Sequence, residues 1–115
     1  MDIYGIKNCN TVKKALDWLD ERNIQYTFHD FKKEGVTESK LREWENVFGW
    51  ERLLNKRGTT WRKVSPEIQK TIVDASSARK LLMENTSMIK RPVVESSGGM
   101  LLGFDEDEYA ALLSK

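Results

Sequence analysis

The sequence IYGIKNCNTVKKALDWL, residues 3–19, decides the fold of the N-terminal part of the chain. Its start, Ile3 to Ile6, predicts a short apolar strand. Asn10 or Thr11 can then cap a helix, because a side-chain oxygen at the cap accepts a backbone N–H. Inside that helix the apolar side chains recur at helical spacing: Val12, Ala15, Leu16 and Leu19. The stretch therefore predicts a strand followed by an amphipathic helix.

A second strand follows this helix. Tyr26 and Phe28 alternate with other residues at the period of a strand, which can extend to Phe31. Asn23 is the expected end of the helix before it. Two strands joined by one helix favour a parallel pair with a right-handed crossover. The beginning of the chain is therefore interpreted as a β-α-β unit.

Residues 35–88 carry helical patterns, and we predict an insertion of several short helices there. Thr37 caps the first helix and Gly49 ends it. Ser65 followed by Pro66 is a helix start, because proline at the first helical position lacks an N–H that would stay unsatisfied. That helix continues through Ile68, Ile72 and Val73. Two serines are candidate starts of the next helix, Ser76 and Ser77.

Strands return near the end of the chain. Pro92–Glu95 and Met100–Leu102 flank Ser96–Gly99, a four-residue loop suited to a β-hairpin. Asp105 opens a last helix, with an acidic residue three positions later. The core side of that helix carries Tyr109, Leu112 and Leu113. The order is β-α-β, helices, β-β-α, which predicts one α/β domain.

The composition sets limits on function. The chain has 115 residues, 39% hydrophobic and 32% charged, with a net charge of +1. This balance is typical of a soluble domain. A strong basic excess, which would indicate binding to DNA or to a membrane surface, is absent. The single cysteine cannot form an internal disulfide, which favours a reducing compartment. No secretory signal pattern opens the sequence, so we expect a cytoplasmic protein.

Cys9 is the candidate nucleophile. It lies between the first strand and its helix, where partial positive charge and unpaired N–H groups favour a thiolate. Lys7, Lys13 and Lys14 can add to that field. The alternative is a small buried apolar side chain without reactivity. Because Val12 stands where a Cys-x-x-Cys motif has its second cysteine, a reactive Cys9 needs an external thiol such as glutathione.

Three further features are open to two interpretations. Arg91-Pro92 is either an ordinary strand start or a cis turn whose guanidinium binds an anion. The basic loop 56–63 either binds an anion or is solvated. His29, the single histidine, makes a poor zinc site with one cysteine and is interpreted as a surface residue. We therefore expect no bound metal.

Four motifs together resemble one protein family. They are YGIKNCNT at 4–11, LLNKRGTTW at 53–61, IKRP at 89–92 and LLGF at 101–104. They run along essentially the whole chain and resemble the ArsC/Spx family, closest to its YffB branch of small bacterial proteins. The resemblance implies a thioredoxin-like fold with a mixed sheet, its core at about 1–34 and 89–115, and a helical subdomain inserted at about 35–88.

The resemblance also implies a site. Cys9 matches the nucleophile of the arsenate reductases, and Pro92 matches a cis proline beside it that exposes backbone to an extended thiol substrate. Arg91 and Arg57 match arginines that hold the oxyanion, and Arg62 is the alternative to Arg57 within the inserted segment. Lys7, Asn10 and Thr11 complete the expected substrate-binding residues. Glutathione is the implied co-substrate and glutaredoxin an implied partner, with no bound cofactor and a monomeric chain.

Two departures separate this chain from the arsenate reductases. Gly103-Phe104-Asp105 stands where those enzymes have a further arginine, and the residues after Cys9 lack their Gly-Thr-Ser pattern. We therefore expect glutathione-dependent thiol or disulfide reduction rather than arsenate reduction proper. The other alternative is a regulator like the Spx proteins, which bind RNA polymerase and usually carry Cys-x-x-Cys. Val12 in place of the second cysteine disfavours it.

Overall fold

Strands and helices follow one another in the predicted β-α-β, helices, β-β-α order in this computed structural model, which describes residues 1–113. The elements are β1 (Asp2–Gly5), α1 (Asn10–Glu21), β2 (Thr27–Asp30), α2 (Phe31–Glu34), α3 (Glu38–Phe48), α4 (Trp50–Leu53), α5 (Thr59–Arg62), α6 (Pro66–Gln69), α7 (Ala75–Glu84), a 3-10 turn (Thr86–Met88), β3 (Val93–Ser96), β4 (Gly99–Leu102) and α8 (Glu106–Leu113).

The chain divides into two units. The first unit comprises Met1–Glu34 and the chain from Arg91 onward, and the second comprises Gly35–Lys90. The sequence predicts the corresponding boundaries near residues 34 and 89. The last two residues of the predicted core, Ser114 and Lys115, lie outside the described residues.

The sheet of the first unit has the order β2-β1-β3-β4. β1 pairs with β2 in parallel, with Ile3 opposite Phe28, as the β-α-β prediction requires. β1 pairs with β3 antiparallel, with Ile3 opposite Val94, so β1 occupies the middle of a mixed sheet. This sheet confirms the predicted α/β class.

The β3–β4 hairpin turns more tightly than the sequence predicts. Ser96 pairs with Gly99, so both belong to the strands and only Ser97 and Gly98 connect them. The prediction of a four-residue loop is wrong because Gly99 adopts an extended strand position despite its φ of 147°. The shorter turn leaves Val93 opposite Leu102, at the start of β3.

The core of the first unit lies between α1, α8 and the sheet. Its buried side chains are Ile3, Ala15, Trp18, Leu19, Val94 and Tyr109. Trp18 and Phe104 each meet the ring of Tyr109 edge to face, at centroid distances of 5.6 and 4.9 Å. Leu16, predicted on the core side of α1, is only partly buried. The core therefore fixes α1 and α8 against the strands that carry the site.

Caps define the helices of the second unit. Thr37 Oγ1 accepts the Lys40 N–H and Gly49 ends α3 with a φ of 84°, both as predicted. Ser65 Oγ accepts the Ile68 N–H, but α6 ends at Gln69. Two residues predicted to continue that helix, Ile72 and Val73, lie outside it, and Val73 is 70% exposed.

The start of α7 also differs from the prediction. Asp74, rather than Ser76 or Ser77, is the N-cap, and its carboxylate accepts the Ser77 N–H at 2.8 Å. Ser77 Oγ in return accepts the Asp74 N–H, so the two residues form a capping box. A carboxylate at the cap also meets the positive end of the helix, which a serine hydroxyl cannot do as well.

Within residues 1–113, no helix combines the length and the apolar character needed to cross a bilayer.

Candidate active site

Cys9 is the N-cap of α1. Its backbone is extended, with φ −120° and ψ 124°, and its carbonyl accepts the Lys13 N–H at 2.9 Å. The prediction that Asn10 or Thr11 caps this helix is therefore wrong, since both already lie in its first turn. The physical reason is the tight connection from β1, which brings the chain into helical conformation directly after Cys9. Cys9 therefore occupies the N-cap position, although its side chain makes no capping hydrogen bond.

The connection between β1 and α1 depends on Gly5. A Cβ at this position would lie 2.9 Å from Val12 Cγ2 and 3.5 Å from the Phe28 ring. Contacts below 3 Å force something to shift, and Val12 is 1% exposed, so it has little room to do so. The close approach of β1 to the first turn of α1 therefore requires glycine at position 5. This close packing sets the position of Cys9, which lies between the strand and the helix.

The surroundings of the Cys9 sulfur favour its thiolate. The side chain is partly buried, which by itself raises the pKa of the thiol. The Val12 N–H, the donors and charge of the Arg91 guanidinium and the Thr11 N–H each act in the opposite direction, and together they outweigh this effect on the pKa. The net result is a Cys9 pKa below its ordinary value, as the position at a helix N-terminus predicts.

Arg91 and Pro92 form the turn that faces this thiol. The Arg91–Pro92 peptide bond is cis, which confirms the expectation drawn from the resemblance. Pro92 is buried directly before β3, and its carbonyl accepts the Gly103 N–H at 2.8 Å. Arg91 is partly buried, with its Nε atom inside the protein. The turn therefore holds a guanidinium against Cys9 from the opposite end of the chain.

The other predicted residues of the first unit lie around the thiol with exposed side chains. Lys7 lies in the turn after β1, and Asn10 and Thr11 begin α1. Thr11 contributes its backbone N–H to the sulfur rather than its hydroxyl. The structure therefore brings together Cys9, Thr11 and Arg91, and it leaves the side chains of Lys7 and Asn10 at the surface.

Arg57 belongs to the second unit. It lies in the exposed loop before α5, where its N–H donates to Asn55 Oδ1 at 3.2 Å. Gly58 follows and precedes the first turn of α5. Close by in sequence, Thr60 Oγ1 accepts a hydrogen bond from Ser87 Oγ at 3.1 Å. These contacts order the loop that carries Arg57.

His29 has a structural role in the first unit. Its Nε2 lies 2.8 Å from Asp2 Oδ1, and its ring stacks on Tyr4 at a centroid distance of 4.6 Å. The histidine is therefore only partly exposed, which revises its interpretation as a surface residue. Among residues 1–113, no group of three or more histidine, cysteine or acidic side chains could hold a metal ion.

Two contributors to the site escape sequence reasoning. The Val12 N–H acts on the thiolate, but a backbone donor leaves no trace in side-chain identity. Gly103, whose N–H donates to the Pro92 carbonyl, belongs to the LLGF motif, but that motif does not predict this contact. Its φ of 79° is favourable for glycine, so the glycine itself is the signal in the sequence.

Comparisons with known proteins agree with this site and fold. The model of the ArsC family matches residues 4–112. A solved structure named YFFB is 47% identical, covers 97% of each chain and superposes with a TM-score of 0.91. An arsenate reductase (ArsC) related protein from Brucella melitensis is 48% identical, covers 96% of this chain and 91% of its own, with a TM-score of 0.76. These structures confirm the predicted thioredoxin-like fold.

A regulatory protein is also similar over the full chain. The global transcriptional regulator Spx 1 of Lactococcus lactis is 24% identical over 119 aligned residues, which cover 100% of this chain and 90% of that protein.

Proposed function

The chain belongs to the ArsC family, and on that premise we propose that it is a glutathione-dependent monothiol reductase with the Cys9 thiolate as nucleophile. The observation that carries the proposal is the position of Cys9 at the N-terminus of α1, where the Arg91 guanidinium before the cis Pro92 and the N–H groups of the first helical turn act on its thiol. They lower the pKa of the thiol, and a thiolate is the reactive form in disulfide exchange. A cysteine that only packed in the core would need none of these donors.

The reaction begins on a substrate that carries a disulfide to glutathione. The Cys9 thiolate attacks the glutathione sulfur, and the substrate leaves as a thiolate that takes a proton from water. Cys9 is then bound to glutathione as a mixed disulfide. A second glutathione thiolate attacks the glutathione sulfur of that disulfide, which releases oxidised glutathione and restores the Cys9 thiolate. Over the whole cycle one free glutathione is oxidised: its sulfur forms a disulfide with the glutathionyl group taken from the substrate, and the substrate sulfur is reduced to a thiol.

The residues around Cys9 have separate tasks in this proposal. Arg91 holds the nucleophile ionised and orients an anionic group of glutathione, because a guanidinium donates to a carboxylate in a planar pair. Pro92 presents the adjacent backbone to the extended peptide of glutathione. Lys7 adds positive charge for the glutathione carboxylates, and Arg57 is the candidate residue of the second unit for the same task. Asn10 and Thr11 contribute polar side chains at the mouth of the site.

The setting of the reaction follows from its chemistry. Free glutathione is both reductant and resolving thiol, glutaredoxin is a further acceptor of the mixed disulfide, and no bound cofactor is required. A thiol that must stay reduced fits the cytoplasm. In this proposal the chain acts as a monomer.

The test is turnover of a glutathionylated peptide by the purified protein with glutathione, followed by the release of oxidised glutathione. We expect turnover by the wild type and its loss in Cys9→Ser, with the glutathione adduct on Cys9 detected by mass spectrometry. Wild-type protein that forms no adduct and shows no turnover would contradict the proposal. Arsenate is offered in the same assay as a second substrate.

A regulatory role is the second candidate, because the full-length similarity to a global transcriptional regulator favours it. In that case the protein binds RNA polymerase, and Cys9 is regulatory or inert. Capture of RNA polymerase by the tagged protein, unchanged in Cys9→Ser and accompanied by absent turnover, would favour regulation over reduction.

A further inference from the structure

We infer that Tyr109 is a positioning residue for the contact between Arg91 and Cys9, and that it acts through the backbone of Gly103. This inference rests on the proposed role of Cys9 as nucleophile. Tyr109 lies in α8 and does not touch the thiol, so its role is the placement of the turn that does.

The first link is a buried hydrogen bond. Tyr109 Oη donates to the Gly103 carbonyl at 2.6 Å, and Tyr109 is 0% exposed. Burial, with the nearby charge of Glu108, raises the pKa of this phenol, so the hydroxyl stays protonated and remains a donor. A buried phenol needs a polar partner, and here the partner is a backbone carbonyl beyond the end of β4.

The second link connects Gly103 to the turn. The Gly103 N–H donates to the Pro92 carbonyl at 2.8 Å, directly after the pair formed by Val93 and Leu102. Gly103 has a φ of 79°, so its carbonyl and N–H point to different partners. Gly103 therefore accepts a hydrogen bond from Tyr109 with its carbonyl and donates one to Pro92 with its N–H.

The third link is the turn itself. Arg91 precedes the cis Pro92 directly, its Nε atom is buried, and its guanidinium acts on the Cys9 sulfur. A hydrogen bond to a charged group depends strongly on distance and angle. Release of the Pro92 carbonyl therefore weakens the Arg91 contact even where the fold survives.

The ring of Tyr109 is itself held in place. Trp18 and Phe104 meet it edge to face, so the hydroxyl has one direction available. Removal of the hydroxyl in Tyr109→Phe keeps these ring contacts and deletes the first link alone.

The experiment measures the alkylation rate of Cys9 by iodoacetamide from pH 5 to pH 10 in the whole protein. We expect the pH midpoint of Tyr109→Phe to move upward and the rate at pH 7 to fall about threefold, because the thiolate is the form that reacts. Tyr26→Phe is the matched control: its hydroxyl donates to Asp20 Oδ1 at 2.9 Å on the surface, and its removal leaves the profile unchanged.

The outcomes separate the two proposals. A wild-type midpoint at the ordinary value of a free cysteine contradicts the proposed function itself. A low wild-type midpoint that Tyr109→Phe leaves unchanged overturns the positioning role alone. If Tyr109→Phe does not fold, Phe104→Leu is measured in its place, because it loosens the Tyr109 ring and keeps the hydroxyl. A profile unchanged by Phe104→Leu then overturns the inference.

Discussion

The guanidinium of Arg91 is close enough to the sulfur of Cys9 to lower the pKa of the thiol through its charge and its N–H donors. This contact joins the turn before β3 to the first turn of α1, two segments from opposite ends of the chain. The N–H groups of Val12 and Thr11 lower the same pKa, so the charge of Arg91 and the start of the helix act on one atom. The surroundings of Cys9 thereby favour its thiolate.

Arg91→Gln should make Cys9 less reactive at neutral pH. A hydrogen bond to a charged group contributes about 1.5–3 kcal/mol, so we expect alkylation at pH 7 to slow about tenfold. Arg91→Lys keeps the charge but loses the planar guanidinium, so its alkylation rate should lie between the rates of the wild type and of Arg91→Gln. Alkylation rates against pH measure the order. Equal rates for Gln and wild type would show that Arg91 does not act on the thiol.

Cys9→Ala and Cys9→Ser should differ in stability. A serine hydroxyl at the N-cap can accept the Thr11 and Val12 N–H groups, whereas alanine cannot. We expect Cys9→Ala to have a free energy of unfolding about 1 kcal/mol lower than that of Cys9→Ser, which is the usual effect of losing a cap. Urea unfolding of both variants measures it. Equal stabilities would mean that residue 9 does not serve as the cap.

The sequence predicts most of the core of the first unit, because local spacing determines its elements. The apolar periodicity of α1 and the single helix between two strands specify the parallel pair that the structure contains. The two-residue hairpin turn was missed, since the glycine at its end can serve a loop or a strand equally well. Side-chain patterns therefore predict the presence of a helix or strand more reliably than the residues at which it begins and ends.

The site was less predictable from individual residues. Asn10 and Thr11 rank above cysteine as caps, so propensity favoured the wrong residue. The contact of Arg91 with Cys9 joins distant segments, and only the family resemblance placed them together. The hydrogen bond of Tyr109 with Gly103 has no sequence signal, because Tyr109 is accounted for as a core residue. Long-range contacts between side chains and backbone are the part that local patterns do not encode.

Gly5→Ala should destabilise the protein and disturb Cys9. The added Cβ would lie 2.9 Å from Val12 Cγ2, and overpacking of this kind costs about 1–3 kcal/mol. The first turn of α1 must move to relieve it, so the alkylation profile of Cys9 should change as well. Gly98→Ala is the control, because its Cβ would meet Leu112 at an ordinary 3.4 Å. Equal melting temperatures for the two variants would contradict the close approach.

Arg57→Gln should weaken the use of glutathione. If the Arg57 side chain pairs with a glutathione carboxylate, its loss removes a charge-assisted hydrogen bond, and KM for glutathione should rise about tenfold with kcat little changed. Arg62→Gln, at the end of the adjacent helix α5, is the comparison, because the sequence leaves open which of the two arginines contributes. A KM effect of Arg62→Gln alone would reassign the role to Arg62, and no effect of either would remove the loop from the site.

The stability of the protein should depend on pH through Cys9. Its pKa is lowered in the folded state, so between that value and the ordinary pKa of about 8.5 the unfolded chain binds more protons. The stabilisation is fully present above the unfolded pKa and is lost as the pH falls through the folded pKa. One proton limits the slope to about 1.4 kcal/mol per pH unit. We therefore expect the free energy of unfolding of wild type, minus that of Cys9→Ser, to rise with pH across this window under reducing conditions. Because serine does not ionise there, the subtraction removes every other titrating group, and a difference that falls with pH would show that burial outweighs the donors around the sulfur.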